Sequence, residues 1–396
     1  MCLGTLPGKE NAMDFELPEE LRLFKSELRR FVDEEMIPVE RDTLVDNELK
    51  PEYHEKFTAR AKELGIYGMD IPEEYGGPGL SILAKALIHE ELSRSIALPA
   101  RGDGITGPTV RHILYTLDGE MKEKYLMPVL KGEKKTCFAQ TEPDAGSDPG
   151  GMRTTAVRDG DHYVINGVKR FITGAGKADF MQLMAATDRE KGSRGGISCF
   201  LVDMDTPGVK LTTTYQTMMG DKPWEIVLDN VRVPASNRVG AEGGGFALAQ
   251  KWLVAGRVKH GSRALGVAER SLEMATSYAK QRSTFGKPLA ERQGIQWKLA
   301  DMYIELQCAR LLVYKAATML DQDVDARQEA FVAKYYADEM AFRAIDTCMQ
   351  IHGGIALTTD LPIEKMWRQQ RSYRITEGAS EVMKHVISRH VLKTYG

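Results

Sequence analysis

Two switches in the spacing of apolar residues constrain this chain more than any other feature. Residues 17–39 carry Leu21, Leu23, Phe24, Leu28, Phe31 and Val32 at helical spacing, and Pro38 closes the run. Residues 52–64, 81–95 and 119–130 repeat that amphipathic character, separated by turn signals such as Gly76-Gly77-Pro78. Near Lys135 the period changes. From there to about Gly240 the apolar and β-branched residues fall in short runs, at 162–165, 197–202, 209–213 and 225–233, with Asn166-Gly167 and Pro207-Gly208 as turn dipeptides. After Gly243-Gly244-Gly245 helical spacing returns and persists, the longest runs being 246–280, 293–320, 325–351 and 380–393. Short strands without interleaved helices predict an antiparallel barrel or sandwich, and four long helices with short connections predict a bundle. The expected fold is therefore mostly α with a central β-domain. A helical domain spans 1–133, an antiparallel β-barrel 134–242 and a four-helix bundle 243–396. The glycine run 240–245 reads as a flexible joint between the last two.

Composition narrows the function classes. A chain of 396 residues, 42% hydrophobic and 28% charged, is ordinary for a globular protein of two to four domains. A formal net charge of -3 argues against a nucleic-acid binder, which carries a basic patch. No run of 18 apolar residues suggests a membrane span. The first twelve residues hold no apolar signal core, and Met13 also suits a start residue. Cys2, Cys137, Cys199, Cys308 and Cys348 are scattered without paired spacing, which fits a reducing cytoplasm and neither a disulfide framework nor a metal clip. No G-x-G-x-x-G opens a strand-to-helix turn, no Walker A loop is present, and the eight histidines have no metal-binding spacing.

Five separated segments carry a more specific signal: Thr141-Glu142-Pro143-Asp144-Ala145-Gly146-Ser147-Asp148; Lys169-Arg170-Phe171-Ile172-Thr173; Arg282-Ser283-Thr284-Phe285-Gly286-Lys287-Pro288; Leu299-Ala300-Asp301-Met302; and Gln350-Ile351-His352-Gly353-Gly354 with Ile375-Thr376-Glu377-Gly378-Ala379-Ser380-Glu381. Taken singly, the first is an ordinary turn, the second a buried strand and Arg282 a solvated arginine. In this order and spacing, over nearly the whole chain, they resemble the FAD-dependent acyl-CoA dehydrogenase family.

The resemblance implies oxidation of an acyl-CoA thioester to its trans-2-enoyl form, with electrons leaving to an electron-transfer flavoprotein. It implies that the stretch from Phe138 through Gln140 and Thr141 to Ser147 lines the FAD, with Phe171 and Thr173 against its ring. Phe171 stands where many relatives have Trp. Arg282 and Phe285, with Gln293, Gln350, Gly353 and Gly354, would reach FAD held mainly by another subunit, so a dimer of dimers is expected. Ala379 and Glu381 would complete the cofactor site, although Glu381 also reads as a solvated residue of a first helical turn. Glu377 would be the catalytic base; family members place it there or near Gly256, and here only the first position carries Glu. Burial is expected to raise its pKa toward the working pH.

Ser147, Arg257, Gly378 and Arg389 would contact the substrate, Arg389 at the CoA portion; Arg257 reads equally as an ion-paired arginine. Ala379 replaces the usual threonine, Thr376 a common tyrosine, and Val254 an aspartate found in some members, so the acyl and pantetheine channel differs from that of familiar members. Gly261 and Gly266 read as helix-packing positions, and Gly256 as either packing or room for the acyl chain. Two other outcomes share the scaffold: an enoyl-CoA reductase resembling the crotonobetainyl-CoA branch, and a flavin oxidase or monooxygenase. A eukaryotic source would imply the mitochondrial matrix.

Overall fold

The computed structural model describes residues 15–101 and 104–396, without the side chains of Lys251 and Trp252; Cys2 and Met13 lie outside that range. Leu28 and Phe31 form the buried stripe of α1 (Glu19–Phe31), which continues into a π-turn over Val32–Met36 and ends at the Pro38-containing turn Ile37–Val39. A ribbon of β1 (Leu44–Val45) and β2 (Glu48–Leu49) leads to α2 (Pro51–Glu63), which starts on proline, where a missing N–H costs nothing. The Ser81 hydroxyl caps α3 (Ile82–Leu92) by accepting from the Ala84 N–H, and α3 is buried along most of its length. The expected helix at 119–130 is interrupted, as α4 (Gly119–Met121), a π-turn over Lys122–Leu126 and α5 (Met127–Leu130). Pro128 is the physical reason, because it removes the N–H that a continuous ladder needs.

The central segment forms one sheet from β3 (Thr136–Ala139), β4 (Thr155–Asp159), β5 (His162–Ile172), β6 (Phe180–Ala186), β7 (Ile197–Asp203), β8 (Val209–Thr214), β9 (Trp224–Pro234) and β10 (Arg238–Val239). Its order is β10-β7-β6-β4-β5-β9-β8, with β3 beside β6. Most pairs are antiparallel, as expected, but β3 runs parallel to β6, and β4 meets β6 in parallel at Thr155 and Ala186. Strand β6 escaped the period-two reading because every residue of it is buried. Its Phe180 and Met184 pack into one core, and Met181, Leu183 and Ala185 into another.

The glycine run is not a loose joint. A Cβ at Gly243 would lie 2.1 Å from the Gly195 carbonyl, and one at Gly245 2.5 Å from the Cys199 nitrogen, so the backbone is docked against β7.

Helices then dominate: α6 (Gly245–Gln281), α7 (Gln293–Asp321), α8 (Arg327–His352), α9 (Ile363–Tyr373) and α10 (Ser380–Thr394), with a ribbon of β11 (Ser283–Thr284) and β12 (Lys287–Pro288) between α6 and α7. Helices α6, α7 and α8 pack pairwise, α9 and α10 lie on α8, and α3 lies on α6 and α7. Alanines fill the contact, among them Ala264, Ala268, Ala275, Ala330, Ala337 and Ala341, which lets the axes approach closely. The packing reading of two glycines holds. A Cβ at Gly261 would sit 2.8 Å from Val313, and one at Gly266 2.0 Å from the Glu90 carbonyl on α3. Glu90 and Glu91 of α3 are buried and bonded by Lys25, Arg29 and Arg310, an ion-pair network tying α1 and α3 to α7. Among the described residues no helix is long and apolar enough to cross a membrane.

Candidate active site

A strained loop delivers Glu377. Helix α9 stops at Tyr373, and the next turn is fixed by the Ser380 N–H donating to the Arg374 carbonyl and by Glu339, which accepts from Arg374 and from the Ser380 hydroxyl. Between these anchors Glu377 adopts φ +53°, a conformation L-residues avoid unless their surroundings impose it. Gly378 follows at φ +103°, where a Cβ would meet the Met383 methyl at 2.3 Å. Its carbonyl accepts from the buried Lys334 ammonium, which also donates to the Tyr373 carbonyl. Only glycine fits there.

The carboxylate lies over Gly256 of α6. A Cβ on Gly256 would stand 2.8 Å from Glu377 Oε2, so that glycine makes room for the side chain itself. Oε1 is 3.3 Å from Nε2 of His260, one helical turn further on, while Oε2 is shielded from solvent without a hydrogen-bond partner. The side chain as a whole keeps 30% of its surface accessible, so it borders an opening rather than bulk water. Burial pushes its pKa upward, as the sequence suggests, and is the largest single influence. His260, Lys259 and Arg263 together outweigh it and bring the group down to about 2. The expected upward shift is therefore reversed.

A second loop of the candidate set spans residues 141–148. Its stake is a buried ion pair, Lys169 Nζ to Glu142 Oε1 at 2.7 Å; Glu142 also accepts from the backbone N–H groups of Arg153 and Thr154. Burial, partly offset by Glu142, lowers the Lys169 pKa to about 8. The Arg170 N–H donates to the Thr141 carbonyl and fastens the loop to β5. A β-bulge between Lys169 and Ile172 then turns Phe171 outward at φ +58°, its ring half-exposed and edge-on to Tyr215. Phe138, Gln140, Thr141 and Thr173 are part-buried nearby in the chain, and the Gln140 side-chain oxygen is buried without a partner.

A cleft of about 460 Å³ is lined by Ser147 and Asp148 from this loop and by Ala379, Glu381, Val382 and His385 from the start of α10. Two distant segments of the candidate set thus meet. Ala379 occupies the N-cap of α10 without a side-chain cap; the Ser380 N–H is taken by the Arg374 carbonyl, and the next N–H groups, of Glu381 and Val382, are the ones placed to meet a ligand. Arg389 follows His385 by four residues, hence on the same helix face, and is exposed.

The other candidates collect elsewhere. Tyr278 stacks on His352 at 4.3 Å, which joins the end of α6, with Arg282, to the end of α8, with Gln350, Gly353 and Gly354. Gln293 opens α7 beside them, and Phe285 is 98% exposed. Lys334, which holds Gly378, precedes His352 by eighteen residues on α8, placing this second patch roughly 27 Å away along the helix. Arg257 is not exposed, and among the described residues it has no ion-pair partner. It is 7% accessible, its guanidinium stacks on Phe331 at 4.0 Å, and burial lowers its pKa to about 10 against the pull of Glu377.

Sequence reasoning missed His260, Lys259 and Arg263. Their signal was present as basic residues at 259, 260 and 263, interrupting the apolar face of a helix that starts its turn at Gly256.

Models of the N-terminal, middle and C-terminal domains of acyl-CoA dehydrogenase match residues 18–133, 137–231 and 243–392. The chain belongs to the acyl-CoA dehydrogenase family. It is 39% identical over 381 residues to a 3-(aryl)acrylate reductase of Clostridium sporogenes, covering 95% of this chain and 99% of that one. It is 37% identical over 382 residues to the caffeyl-CoA reductase–Etf complex subunit CarC of Acetobacterium woodii, again covering 95% and 99%. The structure of butyryl-CoA dehydrogenase from Megasphaera elsdenii superposes with a TM-score of 0.81 at 33% identity, covering 96% of this chain and all of that one. As a member of this acyl-CoA dehydrogenase family the protein is an oxidoreductase and a flavoprotein, with FAD as its cofactor. The residues suit that cofactor: the cleft lies at an uncapped helix N-terminus, with an unpartnered buried Gln140 oxygen and an outward-turned aromatic on the same β-segment.

Proposed function

We propose that the protein dehydrogenates an acyl-CoA thioester between its α and β carbons, with Glu377 as the base. One observation carries this reading: a carboxylate held ionised in a strained loop, over Gly256, beside the cleft. In the substrate complex Glu377 takes the α-proton, and FAD supplies the acceptor for the β-hydride. The Glu377 backbone N–H would polarise the thioester carbonyl, an oxyanion-type role that a rigid loop suits. Phe138, Gln140, Thr141, Ser147, Phe171, Thr173, Ala379 and Glu381 would hold the cofactor, and Gly378, Ser147 and Arg257 would border the thioester. Arg389, on the α10 face that continues the cleft, would meet CoA phosphate.

Arg282, Phe285, Gln293, Gln350, Gly353 and Gly354 lie too far along α8 to serve the same cleft, and we assign them to the cofactor of a second copy. The exposed stripe of Trp297, Ile304 and Leu311 on α7, at seven-residue spacing beside that patch, would be the seam between copies. An electron-transfer flavoprotein is the expected electron acceptor, in line with the Etf association named for the CarC relative.

The test is anaerobic mixing with a panel of acyl-CoA thioesters. The flavin spectrum should bleach with the native protein. In Glu377→Gln the flavin should stay bound while bleaching falls by at least about 10³-fold, the loss of a positioned base and its orientation. Retained bleaching in that variant removes Glu377 from its role.

A second reading, enoyl-CoA reduction, is favoured by the two reductases among the relatives. It requires a proton on Glu377 before the α-carbon can receive it, which the depressed pKa of the free site disfavours. Reoxidation of the reduced protein by an enoyl-CoA faster than by electron-transfer flavoprotein would decide for it.

A further inference from the structure

The wall around Glu377 carries more positive charge than its own reaction needs. Arg111, Arg257, Lys259 and Arg263 all act electrostatically on this site, against the two carboxylates Glu377 and Asp70, with His89 and His260 buried among them. Two of these groups are more than nine-tenths buried with a nitrogen left unbonded: Arg257 at Nε and His260 at Nδ1. Among the described residues neither Lys259 nor Arg263, both part-buried, forms an ion pair or hydrogen bond, whereas Lys25, Lys169, Arg310 and Lys334 each have a close carboxylate partner. The excess is felt by its neighbours. Burial, reinforced by Lys259, Arg263 and His260, pushes the His89 imidazole well below its ordinary value. Cations held partly out of water without a partner are costly, so a fold that gathers them beside its active carboxylate retains them for a counter-charge.

We propose that the acyl group of the substrate ends in a carboxylate that pairs with Lys259, Arg263 and His260, making the substrate class the ω-carboxyacyl thioesters. The inference rests on the thioester reading above and adds the acyl terminus to it. Its geometry follows from α6. Glu377 covers Gly256, so the α-carbon lies near that turn. His260 and Arg263 then stand about 6 and 10 Å further along the helix, from the rise of 1.5 Å per residue. An extended six-carbon diacid chain brings its distal carboxylate to the first of these distances, within reach of the flexible Lys259 and Arg263 side chains.

Calorimetric titration of the FAD-loaded protein with two non-oxidisable probes tests this, 3-thiaadipoyl-CoA and 3-thiahexanoyl-CoA. The sulfur replaces the β-carbon, so binding is read without turnover. The anionic probe should bind at least about tenfold more tightly, the ratio shrinking with added salt. That ratio should collapse toward one in Arg263→Gln and Lys259→Met, and survive in Arg263→Lys. Equal or tighter binding of the neutral probe, or a ratio that neither Arg263→Gln nor Lys259→Met lowers, overturns the proposal. Anaerobic bleaching by adipoyl-CoA and hexanoyl-CoA keeps the two readings apart. Preserved anion preference without bleaching supports the subsite and sinks the reaction. Bleaching by hexanoyl-CoA with no anion preference sinks the subsite and leaves the reaction.

Discussion

At the scale of single residues, the site depends on what one glycine omits. Gly256 has no side chain, and the Glu377 carboxylate fills that space. Gly256→Ala puts a methyl 2.8 Å from Oε2, at the far end of a flexible side chain, so the fold should survive while the carboxylate moves. A displacement of that size costs about 10²-fold in kcat/KM. Kinetics beside a circular dichroism spectrum check this, and native kcat/KM in Gly256→Ala would count against the placement. The charge state gives a second expectation. Glu377 titrates at about 2 in the fold, below the usual 4.5, so its ionised form contributes stability above pH 4.5 that is lost only as pH falls through about 2. The pH profile of kcat/KM, which reports the free enzyme, should therefore show no acid limb from Glu377 between pH 4.5 and 7. An acid limb near pH 6 that moves in Glu377→Asp would contradict the assignment of charge.

At the scale of elements, the helices on either side of the cleft are joined by buried charge as well as by alanine packing. Glu90, on α3, receives Lys25 from α1 and Arg310 and Tyr314 from α7. Burial opposes its ionisation, but Lys25 and Arg310 more than compensate and hold it below the usual carboxylate range. Glu90→Gln keeps the shape and removes the charge, leaving Lys25 with Glu91 at 3.6 Å and Arg310 with Glu269 at 3.3 Å as their remaining partners, and should cost up to about 3 kcal/mol. A lowered urea midpoint for the helical signal is the measurement; an unchanged midpoint would mean the network contributes little. The bulge at Phe171 and the positive φ of Glu377 are the matching feature beside the two segments that line the cleft, where local backbone strain aims side chains that regular strands and helices would turn elsewhere.

For the whole molecule, the question is how one chain accounts for two proposed cofactor patches separated along α8. If α7 pairs with a second copy, Ile304→Glu on its exposed stripe should reduce the sedimenting mass and release FAD together, because Arg282 and Phe285 would no longer reach a neighbour. A variant that keeps both native mass and bound flavin would separate the stripe from the cofactor. The order of helices, sheet and helices was readable from apolar period alone, since 3.6- and 2-residue repeats report which face is buried. Strand β6 and helix α9 were not. The first is buried on both faces and has no alternation; the second is mostly polar and buries only a stripe including Ile363, Met366 and Tyr373.

The amino-acid sequence determined the architecture and the family, because both are carried by local periods or by short motifs whose residues are neighbours in the chain. What folding alone decided is the company Glu377 keeps: His260 and Gly256 beneath it, Lys259 and Arg263 around it, and a pKa driven down where burial by itself would drive it up. Those neighbours lie more than a hundred residues away in the chain, and electrostatic effects depend on distance in space, which no local pattern encodes.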